Sequence, residues 1–213
     1  MQQILVYADS LTWGIIPDSR QRFDFNQRWP GVMENILNSC GSHSRIIEDC
    51  LNGRRTVLDD PFKPGRNGLD GLQQRIEINS PLSLVIIMLG NNDFQSPHVF
   101  TAAEAAQGVA ALVNSIRQAP IEPGMPVPDI LLVSSPPIIE PKGSIAAKFR
   151  GAAEKWRGFR DALEQVAEQL DCHFYDAAQA TPASLIDGIH LDLDQHQALG
   201  QAMAKVVAPL LKK

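Results

Sequence analysis

The feature that most constrains this chain is a rhythm. Strand-length apolar runs recur at Ile4–Tyr7, Arg45–Ile47, Leu82–Leu89, Asp129–Ser134 and Cys172–Tyr175, separated by intervals long enough for helices. Those intervals carry the helical period. "WPGVMENILNS" places Val32, Ile36 and Leu37 on one face, and "TAAEAAQGVAALVNSIRQA" repeats the pattern through Val109, Leu112, Val113 and Ile116. Residues 144–170 and the final "DQHQALGQAMAKVVAPLL" complete the series. A helix between successive strands forces those strands to run parallel, and a parallel sheet must be covered on both faces. The pattern therefore predicts an α/β fold, a three-layer α/β/α sandwich around a central parallel sheet of about five strands. At 213 residues and 44% hydrophobic content, one domain spanning 1–213 suffices, with the Pro-rich "PIEPGMPVPD" as an internal loop.

Charge and cysteine content narrow the partners. A net charge of -5 without a Lys/Arg stripe argues against nucleic acid, and "EDCLNGRRT" is too short a basic cluster to change that. No run approaches the roughly twenty apolar residues of a membrane span, and "MQQILVYADS" lacks the charged start and cleavage site of a signal peptide, so a cytoplasmic location is expected. Cys40, Cys50 and Cys172 are odd in number, widely spaced and without a CxxC pair. They predict buried free thiols rather than disulfides or a thiolate metal site.

In open parallel sheets, sites form beyond the carboxyl ends of the strands. Ser10, Gly53, Asn92 and the loop after Ser134 all fall at or just past such ends. Ser10 follows the first strand as a helix cap or as a nucleophile, and only a base elsewhere in the chain decides which. Of five histidines, His43, His98 and His173 have surface or structural contexts, and His196 sits in a first helical turn where a solvated ring is expected. His190 differs, because "IDGIHLD" places Asp187 one local turn earlier, within reach of Nδ1. An oxyanion needs donors from other loops. The side-chain amide of Asn92, the N–H of Gly53 and the N–H of Ser10 are the candidates, although Asn91, Asn92 and Asp93 also suit a plain turn.

Together the blocks "ADSLTWG", "LNGR", "GNND" and "DGIH", in that order, resemble the GDSL-type or SGNH hydrolases, whose fold is flavodoxin-like. "RWPGVM", "DDPFKPGRNG", "LVIIMLG" and "VSSPPI" are similar to the arylesterase and acyltransferase branch, so the resemblance covers almost the whole chain. It implies Ser10 as nucleophile, His190 as general base and acid, Asp187 as its orienter, and Ser10 N–H, Gly53 N–H and Asn92 as the oxyanion hole. Asp9 and Trp13, beside the nucleophile, are the expected substrate-binding residues. It further implies small esters as substrates, water or an alcohol as acceptor, no cofactor and no metal. A homo-oligomer is also implied, formed through "PDSRQRFDFNQ", where Phe23 and Phe25 would otherwise be exposed. One position departs: Ala8 stands where the family has glycine, which matters only if the backbone there has positive φ.

Other readings compete. A metal-dependent phosphoesterase would draw on Asp9, Asp93, Asp187 and His190, yet no DxH or HxH pair completes the ligand set. A binding domain weakened by Ala8 is the non-enzymatic rival. A carbohydrate deacetylase and a thioesterase share the expected fold.

Overall fold

The computed structural model describes residues 1–211. Among these residues five strands form one sheet: β1 (Gln2–Ala8), β2 (Ser44–Cys50), β3 (Leu84–Met88), β4 (Asp129–Ser134) and β5 (His173–Asp176). Their order is β2-β1-β3-β4-β5 and every pairing is parallel. β1, β3 and β4 lie inside the sheet and read as nearly unbroken apolar runs, because helices cover both of their faces.

Among the described residues seven α-helices accompany the sheet, six of them between strands and the last after β5: α1 (Ser10–Trp13), α2 (Trp29–Ser39), α3 (Leu72–Asn79), α4 (Ala102–Arg117), α5 (Ala152–Trp156), α6 (Phe159–Gln169) and α7 (Leu193–Leu210). α2 packs against α7, and α4 packs against α3 and α6. Among the described residues no helix is long and apolar enough to cross a membrane. The chain passes from β1 to β2 on one side and then returns to β3 on the other. The carboxyl ends of β1 and β3 therefore flank the point where the strand order reverses. Ala8 pairs in register with both Cys50 and Met88, so the segments leaving all three strands start at one level.

Four sequence expectations change. The stretch 144–170 is not one helix: Gly151 and Gly158 adopt φ of 76° and 83° and divide it, leaving α5 and α6 as separate pieces. Its apolar period is nonetheless used, since Phe149, Ala152, Trp156, Phe159, Leu163 and Val166 are all buried. His196 is not solvated but fully enclosed; its Nδ1 accepts the Trp29 N–H at 3.3 Å, and Phe23 meets it edge-on at 5.4 Å. Burial, reinforced by the charge of Arg28, pushes the ring pKa down to about 3. Phe23 and Phe25 are half-buried within this chain, the latter under Arg28 at 5.6 Å, and so do not form the exposed aromatic patch predicted for an interface. All three cysteines are free, but Cys40 is exposed and Cys50 and Cys172 are only partly buried.

Candidate active site

The turn after β1 assigns the helix cap. Asp9, not Ser10, caps α1: its Oδ1 accepts the Leu11 N–H at 3.0 Å. Ser10 is thereby left as the first helical residue, where a backbone N–H has no acceptor within the helix. Ala8 lies in the strand without positive φ, so its methyl causes no backbone strain. The Ala8 carbonyl accepts from Leu51 N–H and from Arg54 Nη1, both at 3.0 Å. Arg54 also binds the Asp49 carboxylate at 2.6 Å and lies 3.9 Å over the Tyr7 ring. The end of β1 is thus anchored to the loop that carries Gly53.

His190 reaches Ser10 across 180 positions of sequence. Its Nε2 lies 3.1 Å from Ser10 Oγ, and its Nδ1 lies 2.6 Å from Asp187 Oδ2. The other Asp187 oxygen accepts the Ile189 and His190 backbone N–H groups at 2.9 Å each, which fixes the carboxylate relative to the ring. Burial alone would raise the Asp187 pKa. The hydrogen bond from His190, its charge and the two N–H donors outweigh that and hold the carboxyl below its ordinary value. An ionised Asp187 places the imidazole proton on Nδ1, so Nε2 presents its lone pair to the serine hydroxyl.

The "GNND" segment separates into three roles. Asn91 Oδ1 accepts from Ser135 Oγ at 2.6 Å and from Trp156 Nε1 at 3.2 Å, bracing the turn. Asp93 faces Thr56, accepting its N–H at 3.1 Å and its hydroxyl at 2.5 Å; burial outweighs these bonds and raises its pKa to about 7. Asn92 alone shares the pocket of Ser10, Gly53 and His190. Its Nδ2 donates to Asp9 Oδ2 at 2.8 Å and its Oδ1 accepts from Gln95 Nε2 at 2.5 Å. With the carboxamide held at both ends, the second Nδ2 hydrogen is the one free to meet an oxyanion. Gly53 adopts φ of 82°, a left-handed conformation that favours glycine.

Sequence reasoning did not find Gln95 or Arg55. Arg55 is 1% exposed; its Nη2 donates to Gln95 Oε1 at 2.6 Å and its Nη1 pairs with Asp60 at 3.0 Å. A line of bonds therefore runs from Asp60 through Arg55 and Gln95 to Asn92 and Asp9. The contact from Arg55 to Gln95 spans 40 positions, and an arginine followed by a distant glutamine carries no local motif.

Asp9 and Trp13, the expected substrate-binding residues, do not line the small cavity before Ser10. Asp9 is 2% exposed and spends both oxygens within the protein, on Leu11 and Asn92. Burial dominates its environment and lifts its pKa to about 6 against the pull of the Leu11 N–H, His190 and Asn92. Trp13 lies under the Arg22 guanidinium at 4.6 Å, and Ile15, Ile145 and Phe149 form the apolar wall in its stead. The carboxylates weighed as metal ligands do not converge: Asp9 and Asp93 turn to separate partners, and among the described residues no cluster of three or more ligating side chains is assembled. The cavity before Ser10 measures about 50 Å³, room for a few water-sized groups. A larger cleft of about 650 Å³ lies away from it, along Glu140–Arg157.

Residues 9–198 match the GDSL-like lipase/acylhydrolase family. Among solved structures, a carbohydrate acetylesterase from Sinorhizobium meliloti is similar with a TM-score of 0.91 and 34% identity, covering 99% of this chain and 100% of that one. The inhibitor-bound aryl esterase of M. smegmatis gives a TM-score of 0.93 at 31% identity, again over 99% and 100%. No match is found among curated proteins.

Proposed function

The chain belongs to the GDSL-like lipase/acylhydrolase family and is a carboxylic ester hydrolase, and we propose that it acts on small, short-acyl esters through an acyl-enzyme on Ser10. The observation that carries this is the line of Ser10 Oγ, His190 and Asp187 at 3.1 and 2.6 Å. A serine hydroxyl is a weak nucleophile until a base takes its proton, and His190 Nε2 is within reach of it. Attack on the ester carbonyl places negative charge on its oxygen. The N–H groups of Ser10 and Gly53 and the amide of Asn92 are the donors to receive it. His190 then returns the proton to the departing alcohol, leaving the acyl group on Ser10, and Asp187 stabilises the imidazolium formed between the two steps.

The small cavity before Ser10 favours acetyl and similar acyl groups. The relatives support the same range, being an aryl esterase and a carbohydrate acetylesterase. Water releases the acyl-enzyme; an added alcohol competes with it where the apolar wall of Ile15, Ile145 and Phe149 limits hydration. We also propose self-association, supported by the exposed Leu185 and Ile186, adjacent on one loop. A panel of 4-nitrophenyl esters of increasing acyl length tests the substrate range: kcat/KM is expected to fall steeply beyond short chains. A flat or rising profile would contradict the small-acyl reading.

A further inference from the structure

The cavity before Ser10 is lined by three cationic side chains, Arg20, Lys63 and Lys148, and by no carboxylate. Among the described residues none of the three forms an ion pair. All three are exposed, and Lys148 reaches the site: a Cβ placed on Gly53 would lie 4.0 Å from its Nζ, so the ammonium hangs over the loop that carries Gly53. Arg20 is held by its own turn, with its N–H on the Ile16 carbonyl at 3.1 Å and the Ile16 N–H on Gln21 at 2.8 Å.

Lys63 and Lys148 are also the wall shared with a second groove of about 530 Å³, whose other faces include Phe62, Pro97 and Ala147. Asp60 lines that groove, but its carboxylate is committed to Arg55 at 3.0 Å and to the Phe62 N–H at 2.9 Å. The groove thus offers apolar surface for a ring and two uncommitted cations beside it. Resting on the esterase reading above, we propose that the site selects short-acyl esters whose alcohol half bears an anionic group, the acyl part lying before Ser10 and the anion between Lys63, Lys148 and Arg20. Burial lowers the Lys148 pKa, the Asp60 charge opposes this, and the like charges of Arg55, Lys63 and Arg20 lower it further. An anionic ligand relieves that repulsion.

The test compares phenyl acetate with 4-acetoxybenzoate, each kcat/KM divided by that ester's rate of hydroxide hydrolysis. The anionic ester is expected to be favoured about tenfold at low ionic strength. The ratio should collapse toward one in about 1 M salt, where the Debye length is about 3 Å. It should fall likewise in a Lys63→Met/Lys148→Met double variant, while 4-(trimethylammonio)phenyl acetate gains relative to phenyl acetate. Efficient hydrolysis of phenyl acetate with a ratio at or below one would overturn the selectivity and leave the esterase reading standing. A chain that hydrolyses none of these esters would overturn both.

Discussion

Asp9 and Asn92 are joined by a hydrogen bond of 2.8 Å from the Asn92 amide to the Asp9 carboxylate, linking the segments that leave β1 and β3. The same carboxylate caps α1, so a single buried group ties the Ser10 turn to the Asn92 amide. Asp9→Ala is expected to cost about 1 kcal/mol of stability through the lost cap. It should also lower kcat by about ten- to a hundredfold with little change in KM, since misplacing a donor by about 1 Å is enough. Steady-state kinetics with a short aryl ester and a denaturant melt check the two parts. An effect confined to KM would place Asp9 on the substrate.

Gln95 holds the opposite end of the same amide. Asn92→Ala should cost about 3 kcal/mol of transition-state stabilisation, mostly in kcat. Gln95→Leu frees the carboxamide to rotate and should give a smaller loss, also in kcat. Because Gln95 acts through Asn92, the double variant should be no worse than Asn92→Ala alone. Additive losses in that cycle would show that Gln95 works through something other than the amide.

His196 ties stability to pH. Its ring stays neutral in the folded protein down to about pH 3, whereas in the unfolded chain it takes up a proton near its ordinary 6.5. The unfolded state therefore binds more protons in this window, and stability from this site is lost as pH falls from about 6.5 to 3, by an order of a few kcal/mol. Asp9 and Asp93 act in the opposite sense, because their raised pKa values, about 6 and about 7, let the folded state hold protons that the unfolded state has released. Comparing His196→Gln with the parent isolates the histidine. The variant should be less stable near pH 8, and the two unfolding free energies should converge toward pH 4. Parallel curves would contradict the assignment.

Ala8→Gly tests what the departure from the family glycine does. Since Ala8 is a buried strand residue without positive φ, glycine relieves no strain there and adds backbone entropy to the unfolded chain. The variant should lose about 0.5–1 kcal/mol of stability and gain no more than about twofold in kcat. A larger rise in kcat would mean that the alanine methyl disturbs the Ser10 turn.

The strands and three of the blocks were legible because "ADSLTWG", "LNGR" and "GNND" each follow a strand, whereas "DGIH" lies in the loop before α7 and is marked by its Asp–His spacing. Ser10, Asp187 and His190 could be paired from sequence since the Asp–His spacing is local, although the 180 positions back to Ser10 are bridged only by the parallel order of the sheet. Arg55 and Gln95 were not legible, because buried polar contacts between distant loops leave no period. His196 misled for a related reason: its first-turn sequence is polar, and the packing of α7 on α2 overrides it. Trp13 and Asp9 were placed by nearness to Ser10, but the direction of a side chain leaving a tight turn depends on dihedrals that spacing does not encode.

The central claim, a nucleophilic Ser10 activated by His190, is tested most directly by mapping the adduct of a fluorophosphonate. The account predicts one adduct per chain, on the peptide carrying Ser10, with activity lost in proportion to labelling. The adduct should be absent from Ser10→Ala and form far more slowly in His190→Ala. Labelling elsewhere in the parent protein, together with near-normal ester turnover by Ser10→Ala, would contradict it.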